Sequence, residues 1–352
     1  MNLDRALRAA PIAVACLTLA AAPSTRPATA RAPAPEGGGG EPPYAAHAAA
    51  MLDTLAQTER SFSALSGESG MKDAFLFYLA KDGLVFRRGF VNGRKSWKDR
   101  PNPAGTLRWS PTYAEVSGNA DLGWTTGPWE FKPHDGSASA YGTFITVWER
   151  PIEWTKPEDQ VWRVAIDTGI SHEKPKLDVA EAVMEHGPAH EPLSLVRQSS
   201  GGFSVGMMGG GFGFGVGTGG HESSADLRWQ DMQHATNDLL QKDREYAYTL
   251  RTRGAVEAVG RFASEDVCFL RDGGETSIGK MEAIQALGNR RDRDGTPLGS
   301  KIATSFDIGC SWGLTITKQA PRDTSAYLRV WRYEPGRAWV LIADVENPFS
   351  SK

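Results

Sequence analysis

The chain repeats itself, and the repeat settles its domain count before any motif is read. The segment from Ala80 to Gly89 aligns without a gap on the segment from Ala263 to Asp272, 183 positions later. Val147-Trp148 falls on Val330-Trp331 at the same offset, and Trp162 to Asp167 matches Trp339 to Asp344 at an offset of 177, a six-residue change that one loop absorbs. Two copies of one supersecondary plan imply two domains of one fold. With 352 residues and 40% hydrophobic content, the chain is long enough to give each copy its own core.

Outside the copies the composition changes. Residues 1–30 read as an export signal: Arg5 and Arg8 precede the apolar run from Ala9 to Ala22, and Ala28-Thr29-Ala30 fits a cleavage site. The run is too short to span a bilayer comfortably, so no stable membrane span is expected. A periplasmic or secreted protein follows. A lipoprotein anchored through Cys16 is the weaker alternative, because it leaves little apolar chain before the cysteine. Loss of Arg5, Arg8, Arg26 and Asp4 with the signal takes the formal charge from −3 to −5, a poor match to nucleic acid. Cys268 and Cys310 then remain, either as a disulfide or as two buried thiols, the second reading being slightly favoured.

Residues 31–44 are rich in Pro, Gly and Ala and read as a disordered tether. Domain 1 covers 45–172. Met51, Leu52, Leu55, Phe62 and Leu65 recur at helical spacing, Met71 to Leu79 forms a shorter helix, and five strand-like segments follow between Leu84 and Thr168. Domain 2, residues 225–347, repeats this order with helices near 225–251 and 255–262, then strands, with an extra helical turn at Met281 to Gly288. Helices followed by an antiparallel sheet define an α+β class. Residues 173–224 read as a glycine-rich linker.

Two linker motifs lose their chemical meaning on inspection. Gly215 to Gly220 satisfies GxGxxG, but no strand, βαβ unit or downstream acid surrounds it, so it is flexible linker. His186 and His190 lie four apart between carboxylates, yet Gly187-Pro188 breaks any helix that would align them, which leaves solvated histidines rather than metal ligands. No metal and no cofactor is expected. No Gly-x-Ser-x-Gly or HExxH motif is present.

Seven of the chain's 11 tryptophans lie between Trp97 and Trp162. There a Trp-x-Pro strand at Trp109, an Asp-Leu-Gly hairpin at Asp121, a Tyr-Gly…Val-Trp strand at Tyr141 and a Trp-x-Val-x-x-Asp strand at Trp162 follow one another. This order resembles the nuclear transport factor 2-like superfamily, in its branch of uncharacterised bacterial domains akin to SnoaL-like polyketide cyclases and ketosteroid isomerases. The resemblance covers residues 50–172 well and 228–347 more weakly. Copy two carries neither the Trp-x-Pro strand nor the Asp-Leu-Gly, so domain 2 reads as degenerate.

The resemblance implies two tandem cystatin-like cones, each with N-terminal helices packed on a curved antiparallel sheet and an apolar pocket at the wide end. The first expectation is that domain 1 binds a small hydrophobic molecule, with Trp109, Trp124, Trp129 and Tyr141 as ligand contacts. The second is a cofactor-independent isomerase, cyclase or dehydratase using carboxylate–phenol acid–base chemistry, with Tyr78, Tyr113, Glu115 and Asp167 as candidates. The third is an interaction module whose sheet faces pair within the chain or across a homodimer. Simple alternation puts Trp162, Val164 and Ile166 on one face and Asp167 on the other, so Asp167 meets the pocket only if its face is the concave one. His134, in the turn Pro133 to Gly136, is expected to be exposed.

Overall fold

A computed structural model of the chain describes residues 43–151, 161–175, 184–188, 190, 224–288, 293–317, 324–334 and 338–349. The segment read as an export signal, the tether up to residue 42 and the glycine tract 201–220 lie outside the described residues, whereas Pro43 and Tyr44, read as the end of the tether, open the first helix. From Glu41 onward the chain forms one compact unit. No helix among the described residues is long and apolar enough to cross a membrane.

The first copy opens with α1 (Pro43–Ser69) and α2 (Met71–Tyr78), followed by β1 (Leu79–Arg87), β2 (Gly89–Asn92) and α3 (Gly93–Lys98). Then come β3 (Gly105–Trp109), β4 (Tyr113–Val116), β5 (Leu122–Pro133), β6 (Ala140–Glu149), β7 (Arg163–His172) and the two-residue β8 (Glu185–His186). The sheet runs β2-β1-β7-β6-β5-β4-β8, with β3 also on β5; β1 lies parallel to β7 and β8 parallel to β4. Part of the segment read as linker therefore extends the first sheet. The second copy contains α4 (Ser224–Arg253), α5 (Ala255–Phe262), β9 (Ala263–Arg271), β10 (Ser277–Ile278), α6 (Lys280–Leu287), β11 (Arg293–Ile302), β12 (Ile308–Thr317), β13 (Thr324–Glu334) and β14 (Ala338–Phe349). Its sheet runs β10-β9-β14-β13-β12-β11.

Matching elements refine the repeat. β1 and β9 correspond from Leu79 and Ala263, which puts this stretch at an offset of 184 rather than 183. The β4–β5 hairpin corresponds to the β11–β12 hairpin at 186, so Asp121-Leu122-Gly123 has a counterpart in Asp307-Ile308-Gly309, and Pro111 in Pro297. Copy two therefore keeps this hairpin with Asp-Ile-Gly in place of the missing Asp-Leu-Gly. Both hairpins also hold a non-glycine residue at left-handed φ just before the aspartate: Ala120 at 52° and Phe306 at 60°.

Each sheet has two apolar faces, because its strands alternate between a helix-facing core and a second core shared by the two copies. In copy one, Phe62, Phe75, Trp109, Phe144 and Trp148 pack under the helices. On the opposite face Leu122, Trp124, Ile145, Val147, Ile166 and Ile170 meet Leu270, Ile308, Leu328, Val330, Ile342 and Val345 of copy two in one cluster. The sheets thus pack face to face within one chain. Cys268 and Cys310 sit in this seam as buried free thiols, with burial raising each to about 12.

The seam has pseudo-twofold logic. Gly118 N donates to Asp307 Oδ2 at 2.6 Å, and the equivalent Thr304 N donates to Asp121 Oδ2 at 2.7 Å. Charged pairs follow the same operation with their signs exchanged. Glu115 of copy one meets Arg332 of copy two at 3.1 Å, whereas its equivalent Lys301 meets Glu149, the equivalent of Arg332, at 2.6 Å. Two first copies paired in this way would oppose Glu115 to Glu149, so the exchange favours unlike pairing. We expect Glu149→Lys to lower stability by about 1 kcal/mol and Lys301→Glu in the same chain to restore most of it, because the pair is partly exposed. A urea-unfolding double-mutant cycle with no coupling would refute the assignment.

Candidate functional site

The interior of copy one is organised by a carboxylate in the middle of α1. Glu59 is fully buried and lies on the same stripe as Leu52, Leu55 and Phe62. Trp109 Nε1 donates to its Oε1 at 2.5 Å, while Thr125 Oγ1 and Trp148 Nε1 donate to its Oε2 at 2.5 and 2.9 Å. Removal from water raises its pKa to about 7 despite these three donors. Copy two repeats the arrangement with Asp243, which accepts from Ser311 Oγ at 2.8 Å, and Trp331 Nε1 donates to Ser311 as Trp148 does to Thr125.

Above Glu59 a cavity of 380 Å³ opens between the sheet and the helices. Its walls include Met71, Phe75, Leu107, Trp109, Trp129, Phe131 and Phe144; Arg87, Asp167 and Gly169 supply the remaining edge. Asp167 reaches the cavity because of a β-bulge. β6 and β7 pair Val147 with Ile166 but Trp148 with Val164, leaving Ala165 as an extra residue. Trp162 and Val164 face the helix core, Ile166 turns to the seam, and Asp167 returns to the cavity. Simple alternation fails here because the bulge inverts it. Asp167 Oδ2 accepts from Thr146 Oγ1 at 3.2 Å, and burial, reinforced by the Glu59 charge, raises its pKa to about 7.

The other expected site residues divide by strand face. Trp109 and Trp129 line the cavity. Trp124, five residues before Trp129 on β5, points into the seam, and Tyr141 lies outside the cavity with Lys174 over its ring. Tyr78 packs its ring on Phe62 and Trp148 and lines a separate outer groove beside Trp162 and Arg163. Tyr113 OH donates to Glu115 Oε2 at 3.0 Å, and its ring lies against Trp124. His134 is exposed. Of the acid–base candidates Tyr78, Tyr113, Glu115 and Asp167, the cavity receives Asp167 alone.

Glu115 belongs to the seam. It is fully buried and accepts from Trp124 Nε1 at 3.2 Å and Arg332 Nη1 at 3.1 Å, with His190 Nε2 at 2.7 Å. His190 is thus not a solvated linker residue, because the chain returns through β8 and delivers it to a buried anion. Burial alone would raise Glu115, but His190 and Arg332 outweigh it and hold the carboxyl below its usual range. A second hollow of 570 Å³ opens along the seam beside Tyr113, Trp124, Thr143, His172, Thr276 and Ile342. Several of its polar groups already bond one another or Glu115, as in Thr276 to Thr143 at 2.8 Å and His172 with Thr143 at 3.1 Å. The copy-one cavity, by contrast, has both Asp167 and Arg87 in its lining.

In copy two larger or charged side chains occupy the equivalent positions. Arg329 stands where copy one has Thr146, and Tyr327 where it has Phe144. Arg329 Nη1 and Tyr327 OH donate to Asp243 at 2.9 and 2.8 Å, and Asp344 is held by Arg271 at 3.1 Å and Tyr246 at 3.2 Å. Among the described residues no group of His, Cys, Asp and Glu has the arrangement of a metal site.

Helices, strand order and pairing give each copy the same α+β plan. No protein-family model and no curated protein matches the chain. Among solved structures it is similar to a nuclear transport factor 2-like protein with a cystatin-like fold from Novosphingobium aromaticivorans, at 12% identity over 38% of this chain and 94% of that one, TM-score 0.31. A ketosteroid isomerase-like protein from Erwinia carotovora atroseptica aligns at 13% identity over 32% of this chain and 95% of its own, TM-score 0.28. A cystatin-like protein of unknown function from Nostoc punctiforme aligns at 13% identity over 37% and 95%, TM-score 0.28. Each corresponds in length to about one copy.

The seam carboxylate makes stability depend on pH. Burial lowers the His190 pKa, but the hydrogen bond and charge of Glu115 more than reverse this, so the net shift is upward from 6.5. A raised histidine stabilises the fold fully below its unfolded pKa and loses that contribution as pH rises through the folded value. The stability gap between the parent protein and His190→Gln, read from urea midpoints, is expected to be largest near pH 5.5 and to shrink towards pH 9. A gap that grows with pH would refute the assignment.

Proposed function

We propose that copy one binds a small, predominantly apolar molecule in its 380 Å³ cavity. The observation that carries this reading is an aromatic chamber holding a carboxyl group, Asp167, whose pKa is raised to about 7. Such a site recognises a ligand through apolar area and orients it through a few polar atoms. Protonated, Asp167 offers a donor to a ligand oxygen; ionised, it accepts. Carboxylate–phenol catalysis has less support, since Tyr78 and Tyr113 both lie outside the chamber. Copy two acts as the partner that covers the first sheet.

The neutral fluorophore N-phenyl-1-naphthylamine tests this. Thr146→Arg, which introduces the residue that fills copy two, should abolish binding. Trp129→Ala should weaken it about tenfold, or 1.4 kcal/mol, and Tyr141→Phe should leave it unchanged. Undiminished binding in Thr146→Arg would overturn the location.

Asp167 also gives a stability signature. Its raised folded pKa means that ionisation above that value costs stability, so Asp167→Asn should be more stable than the parent at pH 8, with the advantage shrinking by pH 5. Thermal melts at the two pH values measure this.

Residues 1–30 are further proposed to direct export, on the strength of Arg5, Arg8, the apolar run Ala9 to Ala22 and Ala28-Thr29-Ala30. Amino-terminal sequencing of the protein recovered from the periplasm or medium tests this, and an intact Met1 there would refute it.

A further inference from the structure

We infer that the ligand of the copy-one cavity carries a carboxylate, which pairs with Arg87, so that the site takes an aryl or alkyl carboxylic acid. The inference rests on the binding role proposed for that cavity and adds the chemical class of what enters it.

Copy two supplies the reference. β1 and β9 each have nine residues and end on an arginine, Arg87 and Arg271. The two arginines make two similar contacts, one to an aromatic ring and one to the preceding carbonyl. Arg87 lies over the Trp97 ring at 4.9 Å and sends Nη1 to the carbonyl of Phe86 at 2.8 Å. Arg271 lies over the Phe269 ring at 4.8 Å and sends Nη1 to the carbonyl of Leu270 at 2.9 Å. Their surroundings differ. Arg271 has Asp344 Oδ2 at 3.1 Å from Nη2 and Glu346 Oε2 at 3.9 Å from Nε.

In copy one neither ion pair is present among the described residues. The strand register pairs Phe269 with Asp344 and Val85 with Asp167, so Asp167 replaces Asp344 and Gly169, two residues on, replaces Glu346. Asp167 bonds Thr146 instead, and no ion pair joins it to Arg87 among the described residues. The Nε of each arginine is buried without a hydrogen bond, but among the described residues only Arg271 has carboxylates within ion-pair distance of its guanidinium. Where copy two places the Glu346 carboxylate, copy one has a glycine at the cavity edge.

A buried guanidinium edge without an anion is costly, and its planar fork matches a carboxylate. The aromatic walls at Trp109, Trp129 and Phe131 receive the apolar body while the acid group reaches Arg87. The ligand thereby supplies from outside what Glu346 supplies from within copy two.

Calorimetry with 2-naphthoate and its neutral isostere 2-naphthylmethanol, using the whole chain, tests this. The parent protein should bind the acid about tenfold or more tightly than the alcohol, as expected for a hydrogen bond to a charged group. Arg87→Met, which retains apolar contact with Trp97, should bring the acid down to the affinity of the alcohol, and Arg87→Lys should keep part of the preference. Equal binding of both probes to the parent protein, or a preference for the acid that survives in Arg87→Met, would overturn the inference while leaving the apolar site intact. Failure of both probes to bind the parent protein would overturn the site itself. The comparison within the parent protein stands whether or not the variants fold.

Discussion

The apolar back face of each sheet must be covered, and this requirement shapes the rest of the molecule. Helices shield only the inner face, so Ile145, Val147 and Ile166 on one sheet and Leu328, Val330 and Val345 on the other would be exposed in an isolated copy. Each such side chain contributes about 1.5–3 kcal/mol when buried, so face-to-face packing outweighs the cost of aligning the two copies. The hairpin contacts through Asp121 and Asp307 and the reversed ion pairs set the register of that packing. His190, brought back by β8, hydrogen-bonds through Nε2 to the buried Glu115 at the edge of the same surface.

With the back faces shared, the two inner faces are free to diverge. Both retain a helix carboxylate, Glu59 or Asp243, held by a hydroxyl and backed by a tryptophan indole. The difference lies in what else enters. Arg329 and Arg271 neutralise Asp243 and Asp344, and Asp344 stays below its usual pKa because both arginines outweigh its burial. In copy one Thr146 is too short to play the part of Arg329, so the volume stays open and Asp167 rises instead. One scaffold thus carries a filled interior beside an open one, and the filled one shows which charges the open one lacks.

Much of this architecture is legible locally. The tandem plan, the α+β order and the helix and strand segments follow from spacing, periodicity and turn residues, whereas the free state of Cys268 and Cys310 comes from the structure. Glu59 leaves a signal in the sequence, a carboxylate on the apolar stripe of α1, four residues after Leu55 and three before Phe62, but nothing local marks it as buried. The hairpin of copy two sits at an offset of 186, between landmarks at 184 and 183, and the extra residues conceal Asp307-Ile308-Gly309. Trp124 and Trp129 were grouped by composition, yet their odd separation on one strand sends them to opposite faces.

What the sequence by itself determined is the repetition, the class of fold and the concentration of aromatic side chains in copy one, because these depend on local propensity and on short-range pattern. The tertiary structure alone decided that Asp167 faces the cavity, that Glu115 and Tyr113 belong to the seam, and that Arg87 lacks the partners of Arg271. Each of those outcomes turns on a bulge, a strand register or a contact between residues far apart in the chain, and a period-two pattern records none of them.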